Sequence, residues 1–172
     1  MVKFKNLFLI FTILFAVPYT AAADQYQVLR IVDGDTIVID YNGTREKIRF
    51  LCVNPPESVH PDRKQNIPMG KVASDYTKKR LSGKSVGIEL ETKTRGRYGR
   101  LLAYVFVDGK NFNLELVQQG LSPYYTKYGR SGKYDQAFRD AEKSARDLGL
   151  NIWGDPELRE KYLRLKSKWG QR

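Results

Sequence analysis

Hydrophobic and polar positions change period several times along the chain. An unbroken apolar run, Leu7 to Val17, comes first. Short β-type segments follow. Gln25 to Val32 alternates imperfectly and ends at Asp33-Gly34. Thr36 to Tyr41 is rich in β-branched residues and stops at Asn42-Gly43, a strong hairpin signal. Arg45 to Val53 reads as a third strand, halted by Pro55-Pro56. A polar loop from Glu57 to Pro68 is long enough to suggest mobility or function. Gly70 to Leu81 has helical spacing, with Val72, Ala73, Tyr76 and Arg80 along one side, and Ser82-Gly83-Lys84 ends it. Val86 to Thr92 alternates as a strand with Val86, Ile88 and Leu90 on one face. Thr94 to Gly99 is a basic turn, and Arg100 to Val107 is a fifth strand closed by Asp108-Gly109.

The remainder is helical. Asn113 to Gly120 reads as a short helix with Leu114 and Val117 inward and Gly120 as its stop. Tyr134 to Leu148 is longer and ends at Gly149. A last helix begins at Asp155, a good N-cap, with Pro156 at its first position. Leu158, Tyr162, Leu165 and Trp169 form one apolar stripe; Arg159, Lys161, Arg164, Lys166 and Lys168 cover other faces. That helix is either docked on the core with a solvated basic side or an added contact for nucleic acid or a membrane surface. Five strands interrupted by a helix, then helices, fit an α+β fold. Its centre is a five-stranded Greek-key barrel of the oligonucleotide-binding (OB) type, with about three packed helices plus the C-terminal amphipathic one.

The N-terminus divides the chain. Lys3 and Lys5 precede the apolar run, and Ala21-Ala22-Ala23 supplies a small-residue cleavage site. Residues 1–23 therefore read as a signal peptide cleaved before Asp24, since eleven apolar residues are short for a span of about 20. An uncleaved anchor is the alternative. The expectation is an exported protein, secreted or periplasmic, with no membrane insertion after cleavage. Residues 24–154 form one domain, and 155–172 the basic terminal helix. The mature chain keeps 28 basic and 19 acidic residues, a net charge of +9, which attracts polyanions such as nucleic acid or anionic surfaces. Cys52 is the single cysteine, so no internal disulfide forms; it reads as a buried small hydrophobe. One cysteine and one histidine exclude a Cys/His zinc cluster.

Five scattered polar groups carry the chemistry: Asp35, Arg49, Glu57, Arg97 and Arg100. Two carboxylates with arginines suit phosphodiester cleavage. One carboxylate can hold a hard cation and the other can position water, while arginines neutralise charge on phosphorus. Glu57 follows two prolines that stiffen its backbone, and it is the candidate for the water. Arg49 and Arg100 are candidates for the phosphate clamp, since guanidinium matches phosphate oxygens as a planar fork. His60, between Val59 and Pro61, has no partner suggested by spacing and reads as a solvated loop residue.

Six segments, in order, resemble the staphylococcal nuclease family. They are Val32-Asp33-Gly34-Asp35-Thr36, Arg49 to Glu57, Ala73 to Lys79, Tyr98 to Tyr104, Leu116 to Leu121 and Leu150-Asn151-Ile152-Trp153. The resemblance implies calcium-dependent endonucleolysis of DNA and RNA with little sequence preference, leaving 3′-phosphate ends. It places the family's catalytic arginine, glutamate and second arginine on Arg49, Glu57 and Arg100. Its metal ligands fall on Asp35, Asn54 and the carbonyl of Pro55. Asn54 stands where the family has a second carboxylate, so weaker calcium binding is expected. Its nucleotide contacts fall on Arg97 and Tyr98, and on Thr126 and Tyr128, where the prototype has two tyrosines. Tyr124 and Tyr125, just before, either stack on bases or pack beneath the loop. The expectation is a monomeric nuclease with DNA and RNA as substrates. The competing reading is a non-catalytic nucleic-acid-binding barrel whose metal site is weakened by Asn54. An envelope-associated interaction protein has only charge behind it.

Overall fold

The structure, a computed structural model, describes residues 24–57 and 68–169. Residues 1–23, on which the signal-peptide expectation falls, residues 58–67, which include His60, and residues 170–172 lie outside them. The elements are β1 (Tyr26–Asp33), β2 (Thr36–Tyr41), β3 (Thr44–Phe50), α1 (Pro68–Leu81), β4 (Ser85–Arg95), β5 (Leu101–Val107), β6 (Lys110–Asn111), α2 (Phe112–Gln118), α3 (Asp135–Asp147), a 3₁₀ turn (Asn151–Trp153) and α4 (Pro156–Lys166). Strands run in the order β3-β2-β1-β4-β5-β6, and a parallel β3–β5 pairing closes the first five into a barrel. The other pairings are antiparallel, and β6 adds two residues beside β5. This is the expected α+β barrel of OB type, with four helices.

The hairpin between β2 and β3 turns through Asn42 and Gly43, both at positive φ (53° and 82°), as a two-residue turn requires. The Asp40 carboxylate accepts from the Gly43 N–H at 2.7 Å. The uneven alternation of β1 has a cause. Val28 faces Ile39 and Arg30 faces Val38, so one extra residue bulges out of β1, and a second irregularity lies between Ile31 and Asp33. Leu29 and Val32 are consequently exposed.

Three expectations need correction. The third strand ends at Phe50, because Cys52 takes a left-handed φ of 62° that a strand cannot carry. On α1 the inward residues are Gly70, Ala73, Ser74, Thr77 and Leu81, while Val72 is exposed: the interior face is small, so the helix lies close to β1. On β4 the face is buried at Val86, half-buried at Ile88 and exposed at Leu90, where regular pairing with β5 ends.

The main core fills the barrel and the space beneath α2 and α3, including Ile37, Ile39, Ile48, Phe50, Tyr104, Phe112, Leu116 and Phe138. Asn113, fully buried, stitches it: its oxygen accepts from Val105 N–H, and its amide donates to the Leu51 and Ala103 carbonyls. Gly120 (φ 64°) ends α2 and lies where a Cβ would come within 2.4 Å of the Leu150 carbonyl oxygen, so the α2 and α3 termini meet without room for a side chain.

The C-terminal helix begins as expected, with Asp155 accepting from Leu158 N–H at 3.0 Å and Pro156 at its start. A second cluster of Ala145, Ile152, Trp153 and Tyr162 holds it, with Met69, Leu158, Leu163 and Trp169 packed alongside. The stripe differs from expectation. Leu165 is exposed, and Lys166 turns inward to pair with Glu142 at 2.9 Å. An ion pair, not a leucine, occupies that turn of the inner face.

Candidate active site

The turn after β1 carries the first piece. The Gly34 N–H donates to Asp33 Oδ1 (2.7 Å), and the Gly34 carbonyl accepts from the buried Thr77 hydroxyl of α1 (2.8 Å). Gly34 abuts Ala73 and Pro55, where a Cβ would meet each at 3.3 Å. The turn is thereby pinned between α1 and the segment after β3. The next residue, Asp35, accepts from its neighbour Thr36 Oγ1 at 2.9 Å, and its carbonyl accepts from Phe50 N–H.

Arg49 leaves the end of β3 toward the same point. Its Nη2 lies 2.8 Å from Asp35 Oδ2 and donates to Asn54 Oδ1 at 3.2 Å. Its Nη1 donates to the Phe50 and Val53 carbonyls, each at 3.0 Å. The left-handed Cys52 makes this possible by folding the chain after β3 back around the guanidinium. Asn54 is held in turn, its N–H donating to Ser122 Oγ at 2.8 Å. Arg49 and Asp35 are about one-seventh exposed at their side chains, so this ion pair is shielded and pre-oriented. Burial raises the Asp35 carboxyl above its ordinary pKa, the Arg49 charge and the Thr36 hydroxyl oppose the rise, and Arg100 also opposes it. Arg100, the residue before β5, thus acts through its charge on the same carboxylate.

Asp35 and Asn54 bring two side-chain oxygens to one nitrogen of Arg49, with Pro55 next in the chain. Asp35, Asn54 and the Pro55 carbonyl are hard oxygen donors of the kind calcium takes, and a cation held there would share the two side-chain oxygens with the Arg49 guanidinium that engages them. Among the described residues no three carboxylate, imidazole or thiol groups converge. Such an ion would rest on one buried negative charge and neutral oxygens.

Glu57 is exposed at the rim. Its charge, with that of Asp35, adds to the burial that raises the Tyr162 phenol of α4. Tyr125 is near the centre. Burial and the adjoining Tyr128 push it up to about 12, with Arg49 and Asp35 both acting on it. Arg97 and Arg100 each stand 5.9 Å from the ring centre of Tyr98, which is exposed, as is Tyr128. Asp35, Arg49 and Asn54 thus meet, whereas Arg100 stands with Arg97 at the exposed Tyr98 ring, and Tyr128 is exposed as well.

The two tyrosines left open by the sequence part ways. Tyr124 is core: it stacks on Phe138 (5.0 Å between centres, 12° between planes), and its hydroxyl donates to Asp135. Tyr125 is half-buried beside the site, its N–H donating to the Cys52 carbonyl. Cys52 is half-buried, and burial pushes its thiol up to about 11, so it is no nucleophile at neutral pH. Ser122, Tyr162 and Lys166 were not identifiable beforehand. No periodicity signals that a serine N-terminal to a proline supports Asn54, or that Lys166 of α4 pairs with Glu142.

Comparison with known proteins gives one consistent picture. The family model described as "Staphylococcal nuclease homologue" matches residues 47–155, so α4 lies beyond the match. The chain is 39% identical over 131 residues to a thermonuclease of Staphylococcus hyicus, covering 76% of each. It is 39% identical over 130 residues to a thermonuclease of Staphylococcus intermedius, again covering 76% of each. It is 38% identical over 125 residues to endonuclease YncB of Bacillus subtilis, covering 72% of this chain and 59% of that one.

Proposed function

The chain belongs to the staphylococcal nuclease family, and from that premise we propose that it is an exported, calcium-dependent endonuclease. It cleaves DNA and RNA with low sequence preference and leaves 3′-phosphate ends. The observation that carries the reading is the convergence of Asp35, Arg49 and Asn54 through one guanidinium nitrogen, with Arg100 acting on the same carboxylate.

Asp35, the Asn54 side chain and the Pro55 carbonyl would hold calcium, which when bound supplies Lewis-acid polarisation of a phosphate oxygen. Arg49 is anchored through Nη1 on two carbonyls, so its orientation is fixed before substrate arrives. Its charge, with that of Arg100, neutralises the negative charge that grows on the phosphate oxygens. Arg100 also favours departure of the 5′ oxygen. Glu57 orients the attacking water and takes its proton. Arg97, Tyr98 and Tyr128 hold the strand at the rim, where exposed rings meet bases without reading sequence. Export is inferred from the leader in residues 1–23, and among the described residues no helix is long and apolar enough to cross a membrane. A monomer suffices for this chemistry.

One feature favours a second reading, a nucleic-acid-binding barrel without catalysis. Asn54 removes a charge from the cation site. The test is incubation of residues 24–172 with single-stranded DNA, in millimolar calcium or in chelator, beside Glu57→Gln. Cleavage only with calcium is expected. Glu57→Gln should lower turnover by about 10²–10⁴-fold with DNA affinity nearly intact. Salt-sensitive binding without cleavage by the wild type would establish the second reading.

A further inference from the structure

The last described turn brings a tryptophan against the segment that holds Tyr125 and Tyr128. Trp169 follows α4 directly, its N–H donating to the Lys166 carbonyl. Its ring meets Tyr125 at 4.8 Å between centres and 90° between planes. Tyr125 meets Tyr128 at 5.8 Å and 85°. Perpendicular rings do not blanket one another, so the row Tyr128–Tyr125–Trp169 keeps ring surface for a third partner. Tyr128 is 85% exposed, and Tyr125 and Trp169 are half-buried.

The row is built rather than loose. Lys166 Nζ donates to the Tyr124 carbonyl at 2.9 Å and pairs with the buried Glu142 at 2.9 Å. The same Glu142 accepts from the Tyr124 N–H. Lys166 also stands 5.5 Å from the Trp169 ring centre. The helix end and the 124–125 segment are thus tied by one ion pair, and Trp169 is placed before any ligand arrives. Exposed cations flank the row: Lys127, 5.7 Å from the Tyr128 ring centre, and Lys168.

We propose that Trp169, with Tyr125 and the flanking Lys127 and Lys168, is an accessory subsite that stacks a nucleobase of a single-stranded nucleic acid and so lengthens the substrate track beyond the cleavage centre. The proposal rests on the nuclease reading above. Rings interleaved with cations are the chemistry that grips single strands without sequence preference. The ligand is a polyanion because cations flank the rings and residues 24–172 carry a formal net charge of +9. A lipid surface fits less well. The apolar residues Leu158, Tyr162 and Leu163 of α4 pack inward with Trp153, so no broad apolar helix face is left to enter a bilayer interface.

Tryptophan emission tests this directly, since the chain has two tryptophans and Trp153 is buried in the core. Glu57→Gln is titrated with a fluorescent single strand of about twelve nucleotides, within the usual site size of such tracks. Binding is read by the anisotropy of the strand, and Trp169 stacking by quenching with an unlabelled strand. The expected result is saturable quenching that follows binding. Trp169→Ala, checked for an unchanged circular dichroism spectrum, should bind at least about fivefold more weakly, and Trp169→Phe should recover most of the loss. Binding with unquenched emission and an unaltered Trp169→Ala affinity would overturn the subsite while leaving the nuclease reading standing. Absence of any binding would overturn both. A blue shift with phosphatidylglycerol vesicles, and none of these responses to the strand, would assign the surface to lipid instead.

Discussion

At the scale of the residue, Arg49 is the pivot. One nitrogen joins Asp35 to Asn54, and the other is fixed on two backbone carbonyls. Those contacts need a planar fork, which an ammonium group lacks. Arg49→Lys therefore keeps the charge but loses the geometry. A fall in kcat/KM on single-stranded DNA of about 10²–10³-fold is expected, the size seen when one pre-organised donor is removed. Activity equal to the wild type would show that charge alone suffices at this position. The neighbouring Cys52 matters through its backbone rather than its thiol. Its left-handed φ lets residues 50–54 wrap the guanidinium.

At the scale of the element, Glu115 ties α2 to α1. It accepts from the Tyr76 hydroxyl at 2.6 Å and from Arg80 Nε at 2.6 Å and Nη2 at 3.1 Å. Burial alone would raise the Glu115 carboxyl, but the Arg80 guanidinium and the Tyr76 hydroxyl hold it below the usual carboxylate range. A depressed folded pKa gives stability that is present above the unfolded value of about 4.3 and is lost as pH falls through the folded value. Glu115→Gln should cost about 1 kcal/mol at pH 7 by urea unfolding, with the gap to wild type closing as pH drops below about 4.3. A gap that stays constant with pH would show that the carboxylate's charge contributes nothing.

Element boundaries show where sequence reasoning reaches and where it stops. The Asn42-Gly43 hairpin and the Asp155-Pro156 helix start were legible because they depend on a few adjacent residues. The bulges of β1 and the irregularity of β4 were not, because pairing with a distant strand decides them. The inward turn of Lys166 depends on Glu142, 24 positions earlier, which no local spacing reveals. Arg49, Asp35 and Asn54 were named from motifs, but their meeting at one nitrogen required the closed barrel. The division between Tyr124 and Tyr125 followed from which of them finds Phe138.

At the scale of the whole molecule, closure of the barrel by β3 and β5 brings Arg49 and Arg100 to one end. The Gly34 turn, braced by Thr77 and Pro55, delivers Asp35 to the same place. Helix α4 packs through Tyr162 on the second core cluster, and Trp169, just beyond it, meets Tyr125. On the function proposed above, this end holds a calcium ion through Asp35 and Asn54 and cleaves nucleic acid beside it. The most direct test is the calcium dependence of single-stranded DNA cleavage by the wild type and Asn54→Asp, measured side by side. Restoring a carboxylate should move half-maximal activity to lower calcium, out of the 10⁻⁴–10⁻³ M range in which weak extracellular sites operate, by roughly tenfold. Superimposable calcium curves, or cleavage that persists in chelator, would contradict the assignment of Asn54 to the cation site.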